Sequence, residues 1–496
     1  MRTKLLSSLL VLGLAGCTVG PDYVKPSLPT AGAFHETGDL MSAGKGAPPA
    51  LDTWWSGFGD PELVRIVERV MAQNLDLAAS AARVEQARAA ARHAQADRLP
   101  QGSLDGSAAR VRQSELSPLG KVASAFPGYQ RNHTAEELGA GASWELDLAG
   151  GLRREAEAAD AEYQAAEASH AGVRVSLAAE AADAYFRVRG AQARIAIAED
   201  QIRNEQGLLD LVKLRQQHGL GTARETAQAE ALLLQAQATV PPLRIELETQ
   251  LNRLDVLMGV APGTYAEEIR PETAPFAIPS IDTAEGPASL LRRRPDVIAA
   301  ERHLASSNAR IGAAVAQCYP SFSLSALLGV SSLVPGKLFT GAAVQSSGGL
   351  GLHWRLFDFG RVDAEVSGAK GANAEALALY RGSMLRATED VEDSIVNLVQ
   401  LEARHGVLGN EVDAHVRARD AAKDAYTGGA VSLIEVLDED RQLLEARDSL
   451  ARIHADEARA AVSVFRALGG GWNAPAQDQP RVALNDAAPL PSSPAK

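Results

Sequence analysis

From Gly150 to His218 the chain runs without a proline and is dense in Ala, Glu, Arg, Leu and Gln, the better helix formers. A helix of that span is on the order of 100 Å long at ~1.5 Å per residue. Helices of compact domains average only ~11–12 residues, so this element does not belong to an ordinary globule. Such a helix needs partners along its whole length, and the question becomes which segments supply them.

The partners arise by repetition. A glycine break at Gly219-Leu220-Gly221 ends the long segment, and a return helix starts near Thr222 and ends near Gly259, with a kink expected at Pro241-Pro242. A second long segment, from Gly360 to about Tyr426, again lacks proline. Trp354 matches Trp144, Gly360 matches Gly150, Gly429 matches Gly219 and Glu435 matches Glu225, all at a shift of 210. Upstream, Tyr319-Pro320 ends a helix as Leu99-Pro100 does, at a shift of 220, so the second copy is shorter by ten residues in between. Asp60-Pro61 is an N-cap with proline at the first helical position, and its helix is expected to run to about Arg98. Pro295-Asp296 opens the matching helix of the second copy. The return helices carry seven-residue series: Leu233, Val240, Leu247 and Leu254, then Leu437, Leu444, Ala451, Ala458 and Phe465. Sustained heptads predict packing along a supercoiled seam.

Between the helices the period drops to two, the signature of a strand with one apolar face. Ala140, Ala142, Trp144, Leu146 and Leu148 alternate with Gly141, Ser143, Glu145 and Asp147. Phe322 to Val330 and Leu350 to Leu356 behave likewise, and 101–112 does so more weakly. Each copy therefore reads helix, strand, strand, long helix, tip, helix. Four strands cannot close a barrel, and an open apolar sheet leaves unpaired edges. Three chains would supply twelve, an even number within the range of outer-membrane barrels. Tyr319, Trp144, Trp354, Phe357 and Phe359 fall at strand ends, where an aromatic belt would meet the bilayer interface.

Composition narrows the functional classes. A net charge of −13 with no long basic run argues against a nucleic-acid surface. Two cysteines, Cys17 and Cys318, provide no disulfide framework. Arg2 and Lys4 precede an apolar run from Leu5 to Leu14, an export signal too short to span a bilayer. Cys318, between a helix and a strand, is expected to be a plain buried thiol. There is no phosphate loop, no HExxH and no CxxC, and no histidine pairs with another at ligand spacing, so neither an enzyme nor a metal centre is expected. The boundaries that follow are a signal segment at 1–16, an extended proline-bearing arm at 17–55 and a first repeat at 56–260. A linker at 261–290, a second repeat at 291–472 and a disordered tail at 473–496 complete the chain.

These residues carry a family resemblance. Leu14-Ala15-Gly16-Cys17 resembles the lipobox of bacterial lipoproteins, which implies cleavage before Cys17 and a diacylglycerol and N-acyl chain on that cysteine as the sole non-protein group. Thr18 after it favours the outer membrane. With Trp54-Trp55, Phe58-Gly59-Asp60-Pro61, Arg294-Pro295-Asp296, the run from Trp354 to Gly360 and the duplicated plan, the chain resembles the TolC/NodT outer-membrane factors of tripartite efflux pumps. The resemblance implies a mainly α fold with membrane β structure. A homotrimer would form a 12-stranded outer-membrane barrel continuous with a long periplasmic helical barrel. It also implies a Gram-negative outer membrane, a periplasmic membrane-fusion adaptor and an inner-membrane transporter of the RND type.

The hairpin tips are the candidate gate. Glu435 and Asp438 lie three apart, on one helix face, so three chains would set six carboxylates around one mouth, some with raised pKa values. The family's inner acidic pair maps onto Glu435 and Asp438, and one of its closing links maps onto Tyr426 and Glu225. A second family link uses an arginine where this chain has Val431, leaving Arg224 as the available replacement. Gly219, Gly221, Gly428 and Gly429 suit tight helical turns and are candidate hinges. The alternatives are a protein-secretion duct of the same fold and a non-conducting, lipid-anchored coiled-coil tether.

Overall fold

A computed structural model describes residues 18–26, 34, 48–271, 276–281 and 292–473. The signal segment, Cys17, the tail from residue 474 and parts of the arm and linker lie outside the described residues.

After a 3₁₀ segment at Leu51–Phe58, the first copy comprises α1 (Pro61–Gln73), α2 (Leu75–Ala96), β1 (Gln101–Arg112) and a short α3 (Pro118–Ala123). It continues with β2 (Asn132–Leu146), α4 (Gly151–Gln217) and α5 (Ala223–Leu257). A one-turn α6 (Ala266–Ile269) lies in the connection. The second copy comprises α7 (Pro295–Ala316), β3 (Ser321–Ser332), β4 (Val344–His353), α8 (Arg361–Thr427) and α9 (Leu433–Ala467). Both long helices have 67 residues, and both return helices have 35.

The expected single helix from Asp60 to about Arg98 is two. Asn74 is extended (φ −63°, ψ 130°); it ends α1 and caps α2 through Leu77 N–H. Its amide also donates to Leu257 O, the last carbonyl of α5, at 2.8 Å. In the second copy Arg294 Nη1 reaches Ala467 O, the last carbonyl of α9, at 3.0 Å. The two contacts are equivalent through the 220 and 210 shifts, so α2 and α7, of 22 residues each, are the true repeat partners. The α5 helix runs through Pro241 and Pro242 as one element. The return-helix series in α5 is buried at Leu233, Val240, Leu247 and Leu254. In the tip half of α9 the buried stripe is instead Leu433, Val436, Asp440 and Leu443, with Leu437 and Leu444 half-buried beside it.

The long helices are anchored at an equator where both copies contribute to one core. Trp54 stacks on Phe465 of α9 with ring centroids 5.3 Å apart, and Phe58 packs on Phe186 of α4 at 4.8 Å. Tyr185 Oη donates to Asp60, the cap of α1, at 2.5 Å. The linker is not a loose strap where it is described: Phe276 packs on Phe186, and Arg69 holds Glu268 of α6 with two bonds of 3.0 Å. Asp255, fully buried, accepts the backbone N–H groups of Gly263, Thr264 and Tyr265.

Candidate functional site: an unpaired sheet and two helical tips

The strands form one antiparallel sheet in the order β1-β2-β3-β4, so among the described residues β1 and β4 each have a neighbour on one side only. The register aligns Leu104 with Ala140 and Leu328, and Trp144 with Leu324 and Leu350. One face thus carries Leu138, Leu146, Phe322, Leu352 and Val344 as well, and Leu104, Leu328, Leu350 and Leu352 are exposed. The opposite face carries Ser103, Asp105, Gly141, Ser143, Glu145, Ser323, Ser325 and Ser347. Apolar residues outward, serine, glycine and acids inward, and ten to fifteen residues per strand suit a membrane wall with a wet interior. No described helix is long and apolar enough to cross a membrane.

The five expected belt aromatics gather where the strands meet the helices. Trp144 Nε1 donates to Arg98 O at 2.9 Å and Trp354 Nε1 to Cys318 O at 3.2 Å, again equivalent contacts. Tyr319, Trp354, Phe357 and Phe359 are exposed, and Trp144 just so. Strand β4 stops at His353, short of the expected Leu356, because the chain turns through Phe359 (φ 56°) and Gly360 (φ 84°) into α8. Cys318 is exposed, not buried as expected, since it lies in the turn between α7 and β3. Beside the same junction Val19 N–H donates to Ala149 O at 3.1 Å, and Arg154 bonds Asp22 at 2.7 Å. The chain leaving Cys17 therefore starts at the boundary of sheet and helices and runs down α7, where Tyr23 Oη donates to Glu301.

At the far ends a small core of Leu209, Val212, Ala229, Leu233, Tyr426, Leu433 and Val436 joins the two hairpins. Glu435 is exposed. Asp438 is also exposed and bonds Arg441 at 3.0 Å and Gln442 at 2.7 Å, and within the chain these partners hold its carboxyl below the usual range. The expected upward shifts fall deeper. Burial, reinforced by the charge of Asp440, pushes Glu205 up to about 7, and burial raises Asp440 itself. Sequence reasoning missed this pair because its members lie on different hairpins.

Tyr426 is buried with the Arg215 guanidinium 4.8 Å from its ring centre. Glu225 bonds Thr222 N–H at 2.7 Å in a reciprocal capping box, so within the chain it faces its own helix end and not Tyr426. Arg224 is exposed, and Val431 packs against the tip core. Of the hinge glycines, Gly219 (φ 74°) and Gly429 (φ 77°) occupy the left-handed region that favours glycine; Gly428 is right-handed, and a Cβ on Gly221 would press on Gln216 N.

Two histidines that no sequence spacing pairs lie close together in the fold. His405, His454 and Glu457 bring potential ligand atoms within 4.8 Å of one another. His454 and Glu457 are three apart on α9, but His405 is 49 residues away in sequence on α8, out of reach of any local spacing rule.

A one-sided apolar sheet with open edges, mounted on two paired helical hairpins about 100 Å long, defines one segment of a membrane channel that crosses an aqueous space. The family model described as "Outer membrane efflux protein" matches residues 66–260 and 286–470. The chain belongs to that family; it is an outer-membrane efflux channel protein and not an enzyme, as the sequence led us to expect. It is 32% identical over 471 residues to the pyoverdine export outer membrane protein OpmQ of Pseudomonas putida, covering 94% of this chain and 97% of that protein. It is 30% identical to nodulation protein T of Rhizobium leguminosarum bv. trifolii, covering 95% and 98%. The solved structure of the outer-membrane channel OprN superposes with a TM-score of 0.81 at 34% identity, over 92% of this chain and 100% of that one.

Proposed function

We propose that three copies of this chain close a 12-stranded barrel and a coaxial helical tunnel, which conducts small molecules passively out of the cell. An inner-membrane transporter of the RND type and a periplasmic adaptor deliver the cargo, and lipid chains on Cys17 hold the trimer in the outer membrane. The unpaired edges of β1 and β4 carry this reading: an exposed apolar sheet with two free edges is complete only against further copies. The position of residues 18–22 beside the sheet supports a lipid on Cys17, since it starts the mature chain at bilayer level. Relatives named for pyoverdine export support small-molecule cargo. Sheet and family together leave little room for a coiled-coil tether.

At the periplasmic end the exposed carboxylates of Glu435 and Asp438 line the mouth, with Arg224 and Glu225 of the first hairpin around them. Glu225 is engaged with Thr222 in every copy, so a Tyr426–Glu225 link between the hairpins requires that cap to open. Splaying of the tips about Gly219 and Gly429 opens the mouth. The test is planar-bilayer conductance of the purified protein beside a Glu435→Ala, Asp438→Ala double variant. Low, cation-selective conductance should rise or lose selectivity in the variant; conductance indifferent to both changes would remove these residues from the gate.

A further inference from the structure

The α8–α9 hairpin carries a feature that conduction does not use. Helix α8 presents Glu402 and His405, three residues apart, and antiparallel α9 presents His454 and Glu457, also three apart. Residues three apart share a helix face, so the two pairs meet as an inverted repeat, Glu-x-x-His against His-x-x-Glu. His405 Nδ1 lies 2.6 Å from Glu457 Oε2, and the two imidazole centres are 5.3 Å apart. Phe276 of the linker lies flat on His454, with ring centres 4.6 Å apart and planes 7° from parallel, which fixes that ring. Among the described residues His454 Nδ1 is buried and meets no hydrogen-bond partner, an arrangement costly to leave unmade. Glu457 is 93% buried by its 7% exposure, while His405 is partly open to solvent.

We propose that His405, His454 and Glu457 form a binding site for a divalent transition-metal ion of the zinc class. Their ligand atoms fall within 4.8 Å of one another, so small side-chain rotations bring them to the ~2.0–2.2 Å bond lengths of one shared ion. Two imidazoles with a carboxylate are a donor set that suits zinc, copper or nickel, not calcium or magnesium. Bundle proteins hold metals with Glu and His side chains projected between facing helices, and here one Glu-x-x-His pair faces its reverse. Glu402 falls outside that 4.8 Å group but near enough to feel the charge of Glu457, so it acts on the site through water. The partly open side of His405 gives an ion its way in. A metal there would tie α8 to α9 near the equator, well away from the tips.

The experiment uses the untagged full-length protein in detergent, stripped with a chelator and titrated with Zn²⁺ at pH 7.5 by calorimetry, with thermal unfolding in parallel. Saturable binding of one ion per chain with a raised unfolding temperature is expected. His405→Gln and His454→Gln should abolish it, Glu402→Gln should weaken it ~10-fold, and His303→Gln, in another His–Glu pair, should leave it unchanged. If His454→Gln fails to fold, the more exposed His405→Gln decides. No saturable binding by the parent protein, or binding that survives His405→Gln, overturns the site.

Discussion

At the first tip Thr222 and Glu225 hold one another in a reciprocal cap, whereas at the second Ser432 occupies the same place and its side chain makes no capping bond. Glu435, the counterpart of Glu225, is left exposed. The turns themselves match: Gly219 and Gly429 differ by 3° in φ (74° and 77°), and the flanking helices are equal in length. Duplication has kept the backbone and redistributed the chemistry. The first hairpin uses its acid on its own helix end, and the second leaves its acid exposed. The same divergence recurs at the equator, where buried Asp255 ties down the loop after α5 and its counterpart Phe465 stacks on Trp54 after the shift of 210.

Substitution at matched positions tests this division of labour. The largest effect should come at the equator. Phe465→Ala should cost roughly 3–5 kcal/mol by opening a cavity under Trp54. Asp255→Ala should cost about 2–4 kcal/mol by stranding three backbone donors. Denaturant unfolding in detergent measures both, and a negligible cost at Asp255 would break the parallel. A smaller and sharper contrast lies at the tips. Thr222→Ala should cost ~1 kcal/mol by removing the cap, while Ser432→Ala, with no capping bond to lose, should change stability by only a few tenths. Equal losses would mean that the two tips are built alike.

The smallest effect is a pH dependence. The folded-state pKa of Glu205, about 7, lies above its ordinary value of 4.5, so folding favours its protonated form. That contribution is fully present below pH 4.5 and is lost as pH rises through about 7. Glu205→Gln should flatten stability across that window, read from unfolding temperatures at pH 5 and pH 8. His415 stands at the equivalent position and bonds Glu439 at 3.3 Å, so the second hairpin has no matching buried acid there.

Much of this architecture was legible because the signals are local or repeated. The helices declared themselves through proline-free runs, the strands through period two, and the duplication through matched Trp, Gly and Glu. The break at Asn74 was missed because no proline marks it, although Pro295 marks the same boundary in the second copy. The Glu205–Asp440 pair and the His405–His454–Glu457 cluster were invisible for a different reason. Each joins residues on different helices and far apart along the chain, and the packing of those helices, not any local spacing, brings the side chains together. Burial of Tyr426 beneath Arg215 likewise depends on how the hairpins dock.

The central claim is that one chain is an incomplete wall, and native mass spectrometry of the detergent-solubilised protein tests it most directly. The account predicts a particle three times the mass of the denatured chain. A stable monomer or dimer with the sheet edges exposed would contradict it.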